Sequence, residues 1–186
     1  MSTTYQITSL TTLATSTVSL DILSRSLKLN SIVSCDGQPI GLVAHWDLVF
    51  FARTWAGWAF EECGEKTPAR ALEALSLVDK WLQDSGSVSS EELWAAARAA
   101  ARAARTSPRT GGAAKAAAWA ADAAGAAAAD AAEAAGAAAG AAAEAAGWAA
   151  GAAGAAAGAA SFRKQGEFII EHLKNSSQTS FPFPRT

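Results

Sequence analysis

The apolar residues of the N-terminal half recur mainly at helical spacings. In SLDILSRSLKL, residues 19–29, the leucines recur every three to four positions and predict a short amphipathic helix. The Asp36-Gly37 pair of SIVSCDGQPIG, residues 31–41, is typical of a turn, so we expect a loop there. Residues 42–63 are apolar on almost every side and precede Gly64, which predicts a buried central helix.

Two further helices are predicted between residues 67 and 106. Thr67 can cap a helix and Pro68 suits its first position, after which four apolar residues between 72 and 82 recur every three to four positions. The DSGSVSS turn ends this helix. Ser89 and Glu92 then have the spacing of a capping box, which predicts that the next helix begins there and runs to the TSPRTGG loop.

Residues 113–160 are dominated by alanine, and their exceptions form one stripe. The stripe alternates spacings of four and three in Gly140, Glu144, Gly147, Gly151, Gly154, Gly158, Ser161 and Gln165. Alanine favours the helix strongly, so the tract is predicted to be a helical spacer and packing surface. One straight helix would be about 72 Å long, against a radius of gyration of about 16 Å for a compact chain of this size. We therefore expect a bend, placed at Gly136 to Gly140.

The fold class predicted from these helices is all-α, a multi-helix bundle with closely packed Ala/Gly-rich helices. SFRKQGEFIIEHLKN, residues 161–175, is predicted as a closing helix that returns to the N-terminal core through its apolar residues. We expect one helical domain over 1–174, with N-terminal core helices in 1–88 and the Ala-rich and closing helices in 89–174. Residues 175–186 are expected as a flexible tail.

Charge and cysteine content narrow the classes of function. The formal net charge is -2, which gives no reason to expect nucleic acid as a partner. Cys35 and Cys63 lack zinc-ligand or disulfide-framework spacing, and the N-terminus lacks the pattern of a signal peptide, so a reduced cytoplasmic protein is expected. Acids such as Asp130 and Glu133 argue against a membrane span in the alanine tract. We expect no metal and no cofactor.

Candidate catalytic residues are few. His45, Trp46 and Asp47 are adjacent and therefore point in different directions on a helix, so a capping or partly buried structural role is favoured over catalysis. His172 is interpreted as a residue of the last turn of its helix, where the helix dipole favours it. We therefore expect the chain not to be an enzyme.

Candidate partner-binding residues are the basic stripe before the alanine tract and the large or charged residues within it. They are Arg98, Arg102, Arg105, Trp119, Asp122 and Trp148. The stripe could bind an acidic partner or phosphate, but satisfaction by acids of the following antiparallel helix is favoured. A hairpin at TSPRTGG would place Arg98 beside Asp122. The two tryptophans could serve as interface anchors.

The segments TPARALEAL, EELWAAARAAARAA, AAKAAAWAADAA and FRKQGEFIIEHL resemble the alanine-rich putative immunity proteins of bacteria. Matching positions are Pro68, Arg70, Glu73, Glu92, Leu93, Arg98, Trp119 and Asp122, and the resemblance covers 68–173. It implies a small helical protein that protects against a toxin. The chain departs from the pattern by carrying glycine at 140, 147, 151 and 154, which weakens the case for a charged binding face there.

The function expected from this resemblance is that of a non-enzymatic factor that neutralises a protein toxin by binding it. One alternative is a structural protein that self-associates through its Gly/Ala helix faces, since small residues permit close approach of helices. An ice-binding protein is a weaker alternative, because the tract lacks regularly spaced threonines.

Overall fold

The structure, a computed structural model, describes residues 4–63, 69–106, 126 and 158–180. The alanine tract, apart from Ala126 and its last residues, therefore lies outside the described residues. The described elements follow one another as strands β1 Thr4–Ser9 and β2 Thr15–Ser19, helix α1 Leu20–Ser26, strands β3 Ser31–Cys35 and β4 Gln38–Val43, and helices α2 His45–Cys63, α3 Ala69–Gln83, α4 Ser90–Thr106 and α5 Gly158–Ser180.

Strands β1 to β4 form one antiparallel sheet in the order β2-β1-β3-β4. Ile7 in β1 lies opposite Val33 in β3, and both side chains are buried. The neighbouring positions, such as Gln6, face the other side of the sheet, because successive residues of a strand alternate between its two faces. The inner face carries the apolar residues and the outer face is largely threonine, serine and glutamine.

This sheet shows that the predicted all-α bundle is wrong and that the chain is a mixed α/β protein. Strands β1 and β2 lie in the Thr/Ser-rich residues before 20, for which no element was predicted, and β3 and β4 take up most of residues 31–41, which were predicted as a loop. Their β-branched residues favour a strand, but threonine and serine hide the apolar alternation that usually reveals one. The predicted turn at Asp36-Gly37 is present as the tip of the β3–β4 hairpin, where φ is +51° and +76°.

The helices agree more closely with the pattern of apolar residues. The short amphipathic helix is α1, with Leu23 buried. The central helix α2 begins at His45 and not at Leu42, because Leu42 pairs with Ile32 in the sheet. Helix α3 is described from Ala69 onward, and its predicted start at Thr67-Pro68 lies outside the described residues. The capping box that opens α4 is confirmed.

Helix α5 closes the core, as the apolar residues of the C-terminal segment predict. Ile169 and Leu173 are buried among residues of the N-terminal half. The helix crosses α1 at its own residue Gly166, and it crosses β4 at Gly41 of that strand. A Cβ atom added to Gly41 would lie 3.0 Å from Leu173 of α5. Helix α5 thus packs on α1, on strand β4 and, through its aromatic residues, on α2. Helix α3 packs on α2, and α4 packs on α3.

Helices α2 and α3 are joined by a two-pronged ion pair. Arg53 donates from Nε and Nη2 to the two carboxylate oxygens of Asp79, at 2.5 and 2.8 Å. The bond to Asp79 is the main reason that the pKa of the Arg53 guanidinium is raised. Both side chains keep about a third of their surface exposed, so this pair fixes the orientation of α3 more than it adds stability.

The capping box of α4 predicts a pH-dependent stability. The Ser89 backbone N–H and hydroxyl donate to Glu92 at 2.9 and 2.8 Å and hold its pKa below the ordinary value. A lowered pKa in the folded state gives stability that is present above the ordinary glutamate pKa and is lost as the pH falls through the lowered one. We expect urea unfolding to give the wild type a larger free energy of unfolding than Glu92→Gln near neutral pH. This difference should shrink toward zero as the solution is made acidic. Glu91→Gln serves as the control. A difference in stability between the wild type and Glu92→Gln that stays constant with pH would contradict the role of the Glu92 carboxylate in the cap.

Several predictions lie outside the described residues. They are the bend at Gly136 to Gly140, the neighbourhood of Arg98 and Asp122, and residues 181–186 of the expected tail. The first part of that tail is helical, since α5 extends to Ser180. The division into domains stays a prediction.

Candidate functional site

Asp47 fastens the beginning of α2 to α5. One of its carboxylate oxygens accepts the backbone N–H of Ala44 at 2.8 Å, which caps the first turn of the helix. The other lies 2.9 Å from Nε2 of His172 on α5. Only 12% of the Asp47 side chain and 17% of the His172 side chain are exposed. The structural, capping role predicted for Asp47 is therefore what the geometry shows.

Aromatic rings enclose His172. Its imidazole stacks on Phe50 at 4.8 Å between centroids and meets Phe51 edge-on at 5.1 Å. Trp46 stacks on Phe50 at 5.0 Å, with only 10° between the planes, and its ring lies 6.1 Å from that of His172. The Trp46 indole N–H donates to the carbonyl of Leu82. These contacts hold Trp46 in one orientation although 42% of the residue is exposed.

The sequence did not reveal the role of His172. It was expected in the last turn of its helix, whereas α5 continues eight residues beyond it to Ser180. The available signal was its spacing, because His172 follows Phe168 by four positions and so shares the apolar face of the helix.

Ser176, His172 and Asp47 are close together but lack the geometry of a catalytic triad. In a triad the acid binds one ring nitrogen of the histidine, and the nucleophile binds the other. Here Ser176 Oγ at 3.3 Å and Asp47 Oδ1 at 2.9 Å both approach Nε2. The nitrogen that would accept the serine proton is therefore shared with the carboxylate, and the arrangement suits a structural joint between α2 and α5.

Among residues 4–63, 69–106 and 158–180, no three His, Cys, Asp or Glu side chains are grouped so that they could hold a metal ion. Within those ranges there is also no helix with the length and apolar character that crossing a membrane requires.

Exposed apolar residues gather at one end of the sheet, where β1 and β4 end and β2 and β3 begin. Leu10 follows β1 and is 47% exposed, Leu13 precedes β2 and is 77% exposed, and Trp46 follows β4. Backbone hydrogen bonds of 2.9 Å link this end across the sheet, from Leu10 to Asn30 and from Asn30 to Val43. We call Leu10, Leu13 and Trp46 the sheet-end surface.

The β1–β2 loop holds its leucines in place by hydrogen bonds to Ser9. The N–H of Leu13 donates to the Ser9 carbonyl at 2.8 Å, and the N–H of Thr12 donates to the Ser9 hydroxyl at 3.2 Å. Leu13 has a φ of +58°, a left-handed conformation that is unfavourable for a leucine. The loop thus keeps a strained, large apolar side chain directed into solvent, which is a feature of binding loops more than of packing.

The predicted basic stripe is in part on the described surface. Arg98 and Arg102 lie on one exposed face of α4, and Arg98 Nε donates to the Trp94 carbonyl at 3.2 Å. The opposite face of α4 packs on α3 through buried Ala97 and Ala100. A cleft of about 490 Å³ beside the stripe is lined by Arg70, Ala99, Arg102 and Ala103.

The other predicted site residues are not placed by the structure. Arg105 lies in α4, but its side chain is outside the described residues, as are Trp119, Asp122 and Trp148. The sheet-end surface was missed because the segment around Leu10 and Leu13 was not recognised as a hairpin. Two leucines in SLTTLATST would have been conspicuous in a loop between strands.

Comparisons of the chain with protein-family models, with curated proteins and with solved structures find no match. The resemblance to putative immunity proteins therefore stays a prediction from the sequence.

Proposed function

We propose that this chain is a non-enzymatic protein-binding factor whose sheet-end surface docks on the partner. The observation that carries the proposal is the position of the exposed apolar residues. Five large hydrophobic residues of the described part of the chain are exposed, namely Leu10, Leu13, Ile22, Trp46 and Leu72, and three of them lie at the same end of the sheet. Exposed apolar surface bordered by polar residues is typical of protein–protein contacts.

The rigidity of the surface supports the same function. The Trp46 side chain is fixed by its stack on Phe50 and by its hydrogen bond to Leu82, and the Leu13 backbone is fixed by its bond to Ser9. Groups that are already ordered lose less conformational entropy when they bind. Tryptophan is also prominent among the residues that contribute most to binding energy at interfaces.

We further propose that the partner is a protein toxin and that the two meet in the cytoplasm. This part rests on the resemblance of residues 68–173 to putative bacterial immunity proteins. The test is growth of a bacterium that expresses a toxin encoded beside this gene, with and without this chain. Protection by the chain together with co-purification of the two proteins supports the proposal. Unprotected growth with every neighbouring toxin would remove the toxin as partner.

Substitution of Leu13, the most exposed leucine, tests whether the partner binds the sheet-end surface. We expect Leu13→Asp to abolish protection, because a buried, unpaired carboxylate in an apolar contact is costly, by several kcal/mol. Leu72→Asp is the matched control, since Leu72 is 51% exposed on α3 and lies outside the sheet-end surface. Growth protection and thermal unfolding are measured for both variants. Equal protection by the two folded variants would show that the partner binds elsewhere.

A further inference from the structure

The two edge strands of the sheet differ in how they are protected against pairing with another strand. Strand β4 carries Pro39, and its pairing with β3 is interrupted by a bulge at Val33/Ser34. Proline and bulges both hinder the addition of a further strand. Strand β2, Thr15–Ser19, contains no proline and no charge, and it pairs with β1 in unbroken register over all five residues. Of the two edges, β2 is therefore the one suited to pairing.

The phase of the hydrogen bonds shows which groups β2 presents outward. The N–H of Ser9 donates to the carbonyl of Ala14 at 2.9 Å, so residues 14 and 9 form a hydrogen-bonded pair. Hydrogen-bonded and non-bonded pairs alternate in an antiparallel ladder, so Ser16 and Val18 also direct their backbone groups at β1. The N–H and carbonyl groups of Thr15 and Thr17 consequently point away from the sheet, and both residues are exposed.

We propose that β2 is a docking strand, to which an extended segment of the partner protein adds as a fifth strand of the sheet. This inference rests on the proposed function and names how the partner is held. The edge continues directly into the sheet-end surface, since Leu13 lies two residues before Thr15. A strand laid along β2 would bring the rest of the partner over the exposed leucines. Main-chain bonds would supply affinity and the leucines would supply selectivity.

The two faces of β2 specify the chemistry of the segment. Val18 is half-buried on the inner face, whereas Thr15 and Thr17 are exposed on the outer face. An added strand places alternate side chains next to these two rows. The segment should therefore alternate apolar with polar or β-branched residues, and it should lack proline where its backbone pairs with Thr15 and Thr17.

A second copy of this chain is a poorer occupant. Antiparallel self-pairing centred on Thr17 would place residue 13 of one copy opposite residue 21 of the other. Leu13 would then face Asp21, an exposed acid in the first turn of α1, and would stay uncovered by apolar surface. A different chain can place an apolar residue there.

The test uses a synthetic peptide with the sequence of β1, TYQITS. This sequence alternates apolar and polar residues, and within the sheet it already pairs with the edge of β2 that faces β1. The full chain, labelled with ¹⁵N, is titrated with this peptide, and with TYQPTS as a non-pairing control. We expect saturable shifts of the Thr15 and Thr17 amide signals with TYQITS alone. We expect the Thr15 shift to be lost in Thr17→Pro, which has no amide signal at residue 17, and both shifts to be retained in Thr17→Val.

Thr17→Pro should fold, since the N–H that it removes points away from β1, and a thermal melt checks this. If it unfolds, Thr15→Lys/Thr17→Lys replaces it, because lysines guard an edge without removing an N–H. Equal shifts with both peptides, or no shifts at Thr15 and Thr17, would overturn the inference. Shifts that depend on protein concentration without peptide would show that a second copy is the occupant and would overturn it as well. Growth protection is scored separately, so protection without peptide shifts removes the docking strand and leaves the proposed function standing.

Discussion

Gly166→Ala is expected to lower the free energy of unfolding by about 2 kcal/mol, although alanine is the better helix former. Helix α5 crosses α1 at Gly166, where a Cβ atom would overlap the backbone oxygen of Leu20 and lie 2.9 Å from its Cδ1. A backbone oxygen cannot turn aside, so the helices must separate, at an overpacking cost of about 3 kcal/mol. The gain in helix propensity offsets about 1 kcal/mol of this. Urea unfolding measures the difference.

Gly57→Ala is the matched control for this substitution. Gly57 is also inside a helix, α2, so the gain in propensity is the same. The atom that its Cβ would meet at 2.9 Å is Nη1 of Arg53, at the end of a long side chain that can shift if its partly exposed ion pair with Asp79 weakens. That weakening costs about 1 kcal/mol or less, which the gain in propensity offsets, so we expect Gly57→Ala to be close to neutral. Equal effects at the two glycines would contradict the close crossing of α5 and α1.

Asp47→Ala is the second substitution with a large expected effect, a loss of about 2–4 kcal/mol. It removes the cap from the Ala44 N–H and the partner of His172 Nε2 at the same time. Both groups lie in a partly buried joint, where the lost bonds are not fully replaced by water. Chemical denaturation of the purified variant measures the loss.

Two further variants show whether the loss comes from the joint. Asp84→Ala removes a carboxylate that accepts only the N–H of Gly86 in an exposed turn, and we expect it to cost under about 1 kcal/mol. His172→Ala, alone and together with Asp47→Ala, completes a double-mutant cycle. A coupling energy near zero would mean that Asp47 and His172 stabilise the fold independently and would contradict the joint.

The helices could be predicted because their signals are local. The apolar period and the Ser89/Glu92 capping box are contained in short windows of sequence, and the described helices follow them closely. The return of α5 to the core was also predictable, since Ile169 and Leu173 need apolar partners and the N-terminal half offers them.

The sheet was missed because its signal is divided among distant segments. Strand β1 pairs with β3 across the whole of β2 and α1, so no single window contains the partners that stabilise it. Tyr5 and Ile7 alternate with polar residues, but the alternation covers only six residues and is flanked by threonines and serines. A mixed fold follows only when the four short β-branched segments are considered together.

The sheet-end surface could not be predicted from the sequence for the same reason. Leu10 and Leu13 come to lie at the same end of the sheet as Trp46 only through the strand order β2-β1-β3-β4. Arg98 and Arg102, predicted as candidate binding residues, are exposed on α4, and their use by a partner stays a prediction. Binding through the sheet-end surface and binding through the arginine face of α4 would protect different residues in a complex.

Amide hydrogen exchange of the chain, alone and bound to a toxin that it neutralises, tests the central claim most directly. We expect binding to slow exchange at the sheet end, over residues 10–17 and around Trp46, with the amides of Thr15 and Thr17 among the most protected. Exchange along the Arg98 face of α4 should be unchanged. Protection confined to α3 and α4, with unchanged exchange at the sheet end, would contradict the account.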